Sequence, residues 1–182
     1  MTGIIVVDVQ PSCDRACRSL LSELLDYLPS LEAGTSIILL KINEELSGDT
    51  LHSFEDYWRE AGATDDFLGR VKVIEKSYAF FRGWMDEGVA GDEIAETARV
   101  LRRVQKNDSR SLDIATLSDL SEQGAALCDP LFLPDELEMH RQLFVNREWM
   151  TCGGGMNECL QEFEIWLDSL DVAYERIGGL CY

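Results

Sequence analysis

The 182-residue sequence is short of proline (4) and histidine (2), and modest in glycine (14). Chains with so little Pro and only an ordinary share of Gly are neither collagen-like nor low-complexity disordered. No stretch approaches the ~18 consecutive apolar residues of a membrane span, so no membrane partner is expected. Basic side chains are scarce as well: 16 Lys and Arg face 34 Asp and Glu, a net charge of −18. Such a surface repels phosphate backbones, which argues against nucleic-acid binding over a broad face. The opening MTGIIVVDVQ has no basic leader and no small-residue cleavage site, so a signal peptide is not expected and the expected location is cytoplasmic. Six cysteines (Cys13, Cys17, Cys128, Cys152, Cys159, Cys181) are irregularly spaced in a chain that needs no staples, and are expected as thiols.

What is present suffices for one core. Hydrophobic residues make up 46% of the chain, and 182 residues bury roughly 70% of their unfolded surface, so a single domain over 1–182 is expected. Gly3 to Val9 is an apolar run rich in Ile and Val, suited to a strand buried on both faces. Ser12 is placed to cap a following helix whose stripe is Cys17, Leu20, Leu21, Leu24 and Leu28, with Pro29 near its end. Thr35 to Ile42 is a second β-type run at the spacing of a βαβ unit, which predicts a parallel pair. A short helix is expected around Phe54 to Ala61 and a third strand at Val71 to Ile74.

From about 82 to 138 the pattern becomes a helical insertion. Asp92 is placed to cap a helix with stripe Ile94, Ala98, Leu101 and Val104, and Leu112 to Leu120 suggests another. Asp135 to Arg147 fits helix and strand equally. Glu148 to Cys152 reads as a strand leading into Gly153-Gly154-Gly155, then a helix with stripe Leu160, Phe163, Leu167 and Leu170, then a last strand near Ala173 to Ile177. The expected class is α/β: a three-layer α/β/α fold with a mostly parallel sheet of about five to six strands, Rossmann-like, with ligands at the carboxyl ends of the strands.

Three polar residues stand at such ends. Asp8 closes the first apolar strand, where a carboxylate can accept a proton near neutral pH. Taken alone it equally fits a carboxylate binding the backbone of the turn through Pro11. Lys76 follows the third strand in Lys76-Ser77-Tyr78-Ala79-Phe80-Phe81, where its ammonium can stabilise a thiolate or an anionic intermediate, or else lie over an aromatic ring at the surface. Cys159 begins the last long helix after the glycine turn; free N–H groups and the helix dipole there favour a thiolate and hold an oxyanion. Cys17 and Cys152 read instead as buried small hydrophobes.

Asp8 and Gln10 in Val6-Val7-Asp8-Val9-Gln10, Lys76 before its aromatic segment, and Cys159 six residues after Gly153 together resemble the isochorismatase-like cysteine hydrolases, a family that includes nicotinamidases and carbamoyl-amide hydrolases. The resemblance covers residues 1 to 81 and 148 to 178. It implies an isochorismatase-like fold and a triad in which Cys159 attacks a carbonyl carbon, Asp8 takes the thiol proton and later activates water, and Lys76 balances charge. A small amide or related C–N substrate would pass through a thioester. Gly155 and Met156 would form the oxyanion site, near a non-proline cis peptide, with Gln10, Phe80 and Trp84 about the substrate. No cofactor is implied.

The chain also departs from that pattern. The family's aromatic residue after D-x-Q is replaced by Ser12, Cys13 and Asp14, and the 82–138 insertion is long enough to cover the site or build a subunit contact, as in a homo-oligomer. Asp49 and His52 lack the family's metal-binding spacing, so no catalytic metal is expected. Arg99, Arg102, Arg103, Lys106 and Arg110 form either a solvated face paired with acids or an anion or partner site. Trp58, Trp84, Trp149 and Trp166 read as core or interface anchors, with Trp84 also a candidate pocket wall. The rival to a hydrolase is a catalytically inactive module of the same fold that binds a small molecule or anion through the glycine turn, or a protein partner through the insertion.

Overall fold

The computed structural model describes residues 3–106, 131 and 133–182. Five strands, β1 (Gly3–Val7), β2 (Ile37–Ile42), β3 (Val71–Lys76), β4 (Trp149–Gly153) and β5 (Tyr174–Arg176), form one all-parallel sheet in the order β3-β2-β1-β4-β5. Eight α-helices are described: α1 (Asp14–Tyr27), α2 (Glu44–Ser47), α3 (Leu51–Glu60), α4 (Asp65–Leu68), α5 (Arg82–Asp86), α6 (Gly91–Lys106), α7 (Asp135–His140) and α8 (Cys159–Asp168). The fold is a three-layer α/β/α sandwich of Rossmann-like type, as the alternating pattern implied. Among the described residues, no helix is long and apolar enough to cross a membrane.

Strand alternation divides the core in two. Ile4 and Val6 of β1 join Ile37 and Leu39 of β2 beneath α1 and α3, where Leu21, Leu24, Phe54 and Trp58 pack. Ile5 and Val7 join Ile38 and Leu40 on the opposite face beneath α6 and α8, where Ile94, Ala98, Phe163 and Trp166 pack. Both faces of β1 and β2 are therefore covered, which is why these strands are unbroken apolar runs. The edge strand β3 is less covered, with Lys72 and Glu75 exposed and Ile74 and Lys76 buried. All four tryptophans are buried, and three donate their indole N–H inside the protein: Trp58 to the Val9 carbonyl, Trp149 to that of Phe144, and Trp166 to Glu138.

Several boundaries differ from the sequence expectation for identifiable reasons. Ser12 does not cap α1: it lies in a 3-10 turn (Pro11–Cys13), where the Asp49 carboxylate takes its N–H and Gln10 donates to its hydroxyl. β3 runs two residues past Ile74, because Glu75 and Lys76 pair with Lys41 and Ile42 of β2. The ambiguous 135–147 stretch is helical at α7 and then 3-10 at Arg141–Leu143. Asp92 sits inside the first turn of α6, accepting the Glu93 N–H. The expected helix at Leu112 to Leu120, Arg110, and the side chains of Val104 and Lys106 lie outside the described residues.

The arginines of α6 that are described act as ties. Arg102 grips the Glu138 carboxylate with two of its nitrogens, the closer 2.7 Å away, and donates to the carbonyl and hydroxyl oxygens of Ser169. Arg99 pairs with Glu96 and Asp171, whereas Arg103 is exposed and reaches Glu96 only at 3.8 Å. Arg102→Ala is expected to cost about 2 kcal/mol in urea unfolding, since it strips a partly buried carboxylate of its closest charge partner and leaves it only Arg141 at 3.5 Å. Arg103→Ala is expected to leave the urea midpoint unchanged.

Candidate active site

In this strand order the direction in which strands are added reverses between β1 and β4, and the crevice at the carboxyl ends of those two strands is where ligands of open α/β sheets bind. Asp8 stands there, one residue past β1, with its N–H on the Leu40 carbonyl at 3.0 Å. Its φ of 52° lies in the left-handed region, which Asp tolerates better than most residues. The facing wall is the turn after β4, where Gly153 (φ 77°) and Gly154 (φ 48°) are also left-handed. A Cβ on Gly153 would lie 2.5 Å from the Val7 carbonyl oxygen, and the Gly154 N–H donates to that oxygen at 2.7 Å. Glycine is required where β1 and the turn approach so closely.

Lys76 comes from two strands away. As the last residue of β3 it extends across the end of β2, a span of about 10 Å between strand axes, and its Nζ lies 2.9 Å from Asp8 Oδ2. Lys76 is 0% exposed and the Asp8 side chain 2%, so the two charges neutralise each other inside the protein. Asp8 Oδ1 is buried with no hydrogen-bond partner among the described residues, so its lone pairs are open to a donor.

Cys159 is the first residue of α8 and is partly buried. The Gly155 N–H donates to its sulfur at 3.2 Å, and a Cβ on Gly154 would press to 3.1 Å from it. The thiol is pushed up to about 12, mainly by burial and then by the Asp8 carboxylate, while Lys76 and the Gly155 amide pull it down. This corrects the expectation of a thiolate at neutral pH. One amide donor and a helix terminus do not offset desolvation together with a neighbouring negative charge.

The remaining expected residues fare differently. Gly155 and Met156 border the thiol, but their peptide is trans, as are all others in the described residues, and the expected cis bond is absent. The left-handed glycines turn the chain instead. The Met156 N–H is held by the main-chain oxygen of Tyr182 at 3.0 Å. Gln10 is fully buried with its amide engaged: Nε2 donates to Ser12 and Asp49, and Oε1 accepts the Ile42 N–H at 2.7 Å. It ties β1 to β2 and offers no N–H to a ligand. Phe80 is half-buried and donates its N–H to Glu162, and Trp84 lies in the core cluster beneath α6 and α8. Asp49 is occupied by Gln10 and Ser12, and His52 pairs with Asp56. Among the described residues, no three His, Cys, Asp or Glu side chains converge as a metal site.

Two residues were missed from the sequence. Glu162, one turn after Cys159 and 0% exposed, accepts the N–H groups of Phe80 and Phe81 at 2.8 and 2.6 Å, tying the thiol's helix to the segment after Lys76. A carboxylate within the apolar stripe of α8 was the available signal. Tyr182 donates its hydroxyl to the Asp8 carbonyl at 3.2 Å, and nothing local in the sequence marks it. Comparisons with protein-family models, with curated proteins and with solved structures return no match.

These charges make a testable prediction. Because Asp8 raises the thiol pKa and Lys76 lowers it, Asp8→Asn should speed alkylation of Cys159 at pH 8, and Lys76→Met should slow it. In the wild type the rate should climb about tenfold per pH unit from 7 to 10 with no plateau, as followed by peptide mass mapping. A plateau near pH 7 would contradict this electrostatic account.

Proposed function

We propose that the protein is an isochorismatase-like cysteine hydrolase that cleaves a small amide or related C–N bond through a thioester. The observation that carries this reading is the convergence of an acid, an ammonium and a sulfur from the ends of β1, β3 and the turn after β4, with the Asp8–Lys76 pair at 2.9 Å and an amide donor on the sulfur. The raised thiol pKa selects the route. Burial and the Asp8 carboxylate hold the thiol well above its ordinary range, so on this reading attack is joined to proton transfer to Asp8 as the bond forms.

Sγ of Cys159 attacks the carbonyl carbon while its proton passes to Asp8 Oδ1, and the carbonyl oxygen becomes an oxyanion stabilised by amides of the glycine turn. The C–N bond then breaks, and the leaving nitrogen takes the proton from Asp8. Water attacks the resulting thioester, giving a proton to Asp8 as it does so. The C–S bond breaks, the acid leaves, and the proton returns to sulfur. Lys76 stays charged throughout and keeps the Asp8 carboxylate in place between steps. The substrate on this reading is a small molecule, the site of action cytoplasmic, and no cofactor takes part.

The rival reading, a binding module without turnover, draws on the same turn: its Met156 amide is already occupied by Tyr182. Ammonia release from a panel of small primary amides separates the two. The wild type should release it, and both Cys159→Ala and Asp8→Asn should reduce the rate by about 10³-fold or more. Rapid acid quench should trap an acyl group on Cys159 that hydroxylamine removes. Turnover by Cys159→Ala equal to wild type would eliminate the nucleophile assignment.

A further inference from the structure

Tyr182 reaches the site from the side opposite the thiol's helix. Like Cys13, Ile177 and Leu180, it is partly buried and packs against the core beneath α1 and α3, whereas Cys159 packs against the other core. Three hydrogen bonds hold it across the crevice: its N–H to the Gly154 carbonyl at 3.2 Å, its main-chain oxygen to the Met156 N–H at 3.0 Å, and its hydroxyl to the Asp8 carbonyl at 3.2 Å. The first two are made to the turn that carries the thiol, and the third to the residue carrying the base. One residue therefore spans the mouth from β4 to β1. Its phenol is pushed far up by burial and by the nearby Cys159, Cys13 and Asp8, which places the ring among those groups and keeps it neutral.

We propose that Tyr182 is a gate over Cys159 that admits small, flat acyl groups and excludes bulky ones. Its hydroxyl end lies by Asp8 and Cys13, beside the segment Ser12-Cys13-Asp14, which carries no aromatic residue. The residue is half-buried and anchored by single neutral hydrogen bonds, so it can swing aside without uncovering the sheet. When it does, the Met156 N–H loses its acceptor and becomes available to a substrate oxygen, which couples entry to completion of the oxyanion site. This deepens the hydrolase reading, but size-selective access to the sulfur does not depend on turnover.

The test compares modification of Cys159 by iodoacetamide and by N-(1-pyrenyl)maleimide in the full chain at pH 9, read by peptide mass mapping. Tyr182→Ala should raise the pyrenyl rate about tenfold or more and the iodoacetamide rate less than about threefold, because only the larger reagent is excluded by the ring. Tyr182→Phe, which keeps ring and main-chain pairing, should stay within about twofold of wild type for both. Cys152, 0% exposed within β4, is the internal control, since its protection reports an intact fold. If Tyr182→Ala exposes Cys152, Tyr182→Leu replaces it with the same expectation. Equal acceleration of both reagents, no acceleration, or a Phe variant that behaves like Ala would overturn the gate. A protein that hydrolyses no amide but still gates Cys159 by size would sink the hydrolase reading and leave the gate standing.

Discussion

The buried ion pair between Asp8 and Lys76 constrains the rest of the site. Each charge alone would cost several kcal/mol to remove from water, and only their mutual attraction makes burial tolerable. The pair holds only while the ends of β1 and β3 stay level across the intervening β2. That register is fixed by the β2–β3 ladder, in which Ile42 faces Lys76, and by the Gln10 amide, which locks the end of β1 to Ile42. A slip of one residue would turn the Lys76 side chain to the other face of the sheet. Lys41, also fully buried, shows the alternative outcome: its ammonium turns to Glu75 at 2.7 Å and to the Asp49 carbonyl, and stabilises the loop instead of the crevice.

The constraints around the pair close on themselves. Lys76 is bound to Asp8; the segment that follows it hands two N–H groups to Glu162; Glu162 lies one turn from Cys159; and the sulfur is met by the Gly155 amide. The glycine turn is in turn fastened to Val7, next to Asp8, through the Gly154 N–H. The Asp8–Lys76 pair, the Glu162 contacts and the Gly154–Val7 bond join segments far apart in sequence, and the glycine turn and the first turn of α8 close the circuit locally. Such networks rigidify a site when complete and are costly when one member is lost, because each buried group then faces none of its partners. Among the described residues, two carboxylate oxygens of the circuit accept no hydrogen bond: Glu162 Oε2, which has the Arg82 guanidinium 3.6 Å away, and Asp8 Oδ1, whose open lone pair is what the proposed base would use.

How much of this was legible follows from what kind of interaction set each feature. The parallel sheet was readable because β1 and β2 are buried on both faces and their sequences are unbroken Ile, Val and Leu runs; α1 and α8 were readable from stripes at helical period. Asp8, Lys76 and Cys159 could be located because each interrupts or ends such a pattern where strands terminate. Their proximity follows from topology once the sheet is parallel. The hidden features depend on long-range contacts. Ser12 looked like a helix cap because its local competitor, the Asp49 carboxylate 37 residues away, leaves no local trace. The trans peptide after Gly155 reflects the left-handed freedom of Gly153 and Gly154, which relieves the turn of any need for a cis bond. Tyr182 gives no local signal, since its role comes entirely from where the sheet brings it.

The state of the thiol illustrates a limit on such sites. A charged base close to a sulfur raises the pKa of that sulfur, so a crevice cannot maximise both the basicity available for proton transfer and the resting fraction of thiolate. Helix-terminus cysteines that rest as thiolates have a positive environment and no adjacent carboxylate. Here Lys76 is committed to Asp8, and its pull on the sulfur is outweighed by burial and by Asp8 itself. The arrangement therefore favours a neutral thiol, and on the proposed hydrolase reading proton transfer and attack on a carbonyl carbon would be joined in one step. Such a thiol is protected near neutral pH from adventitious oxidants and alkylators, which act on the thiolate, and its reactivity toward them rises with the pH of the solution.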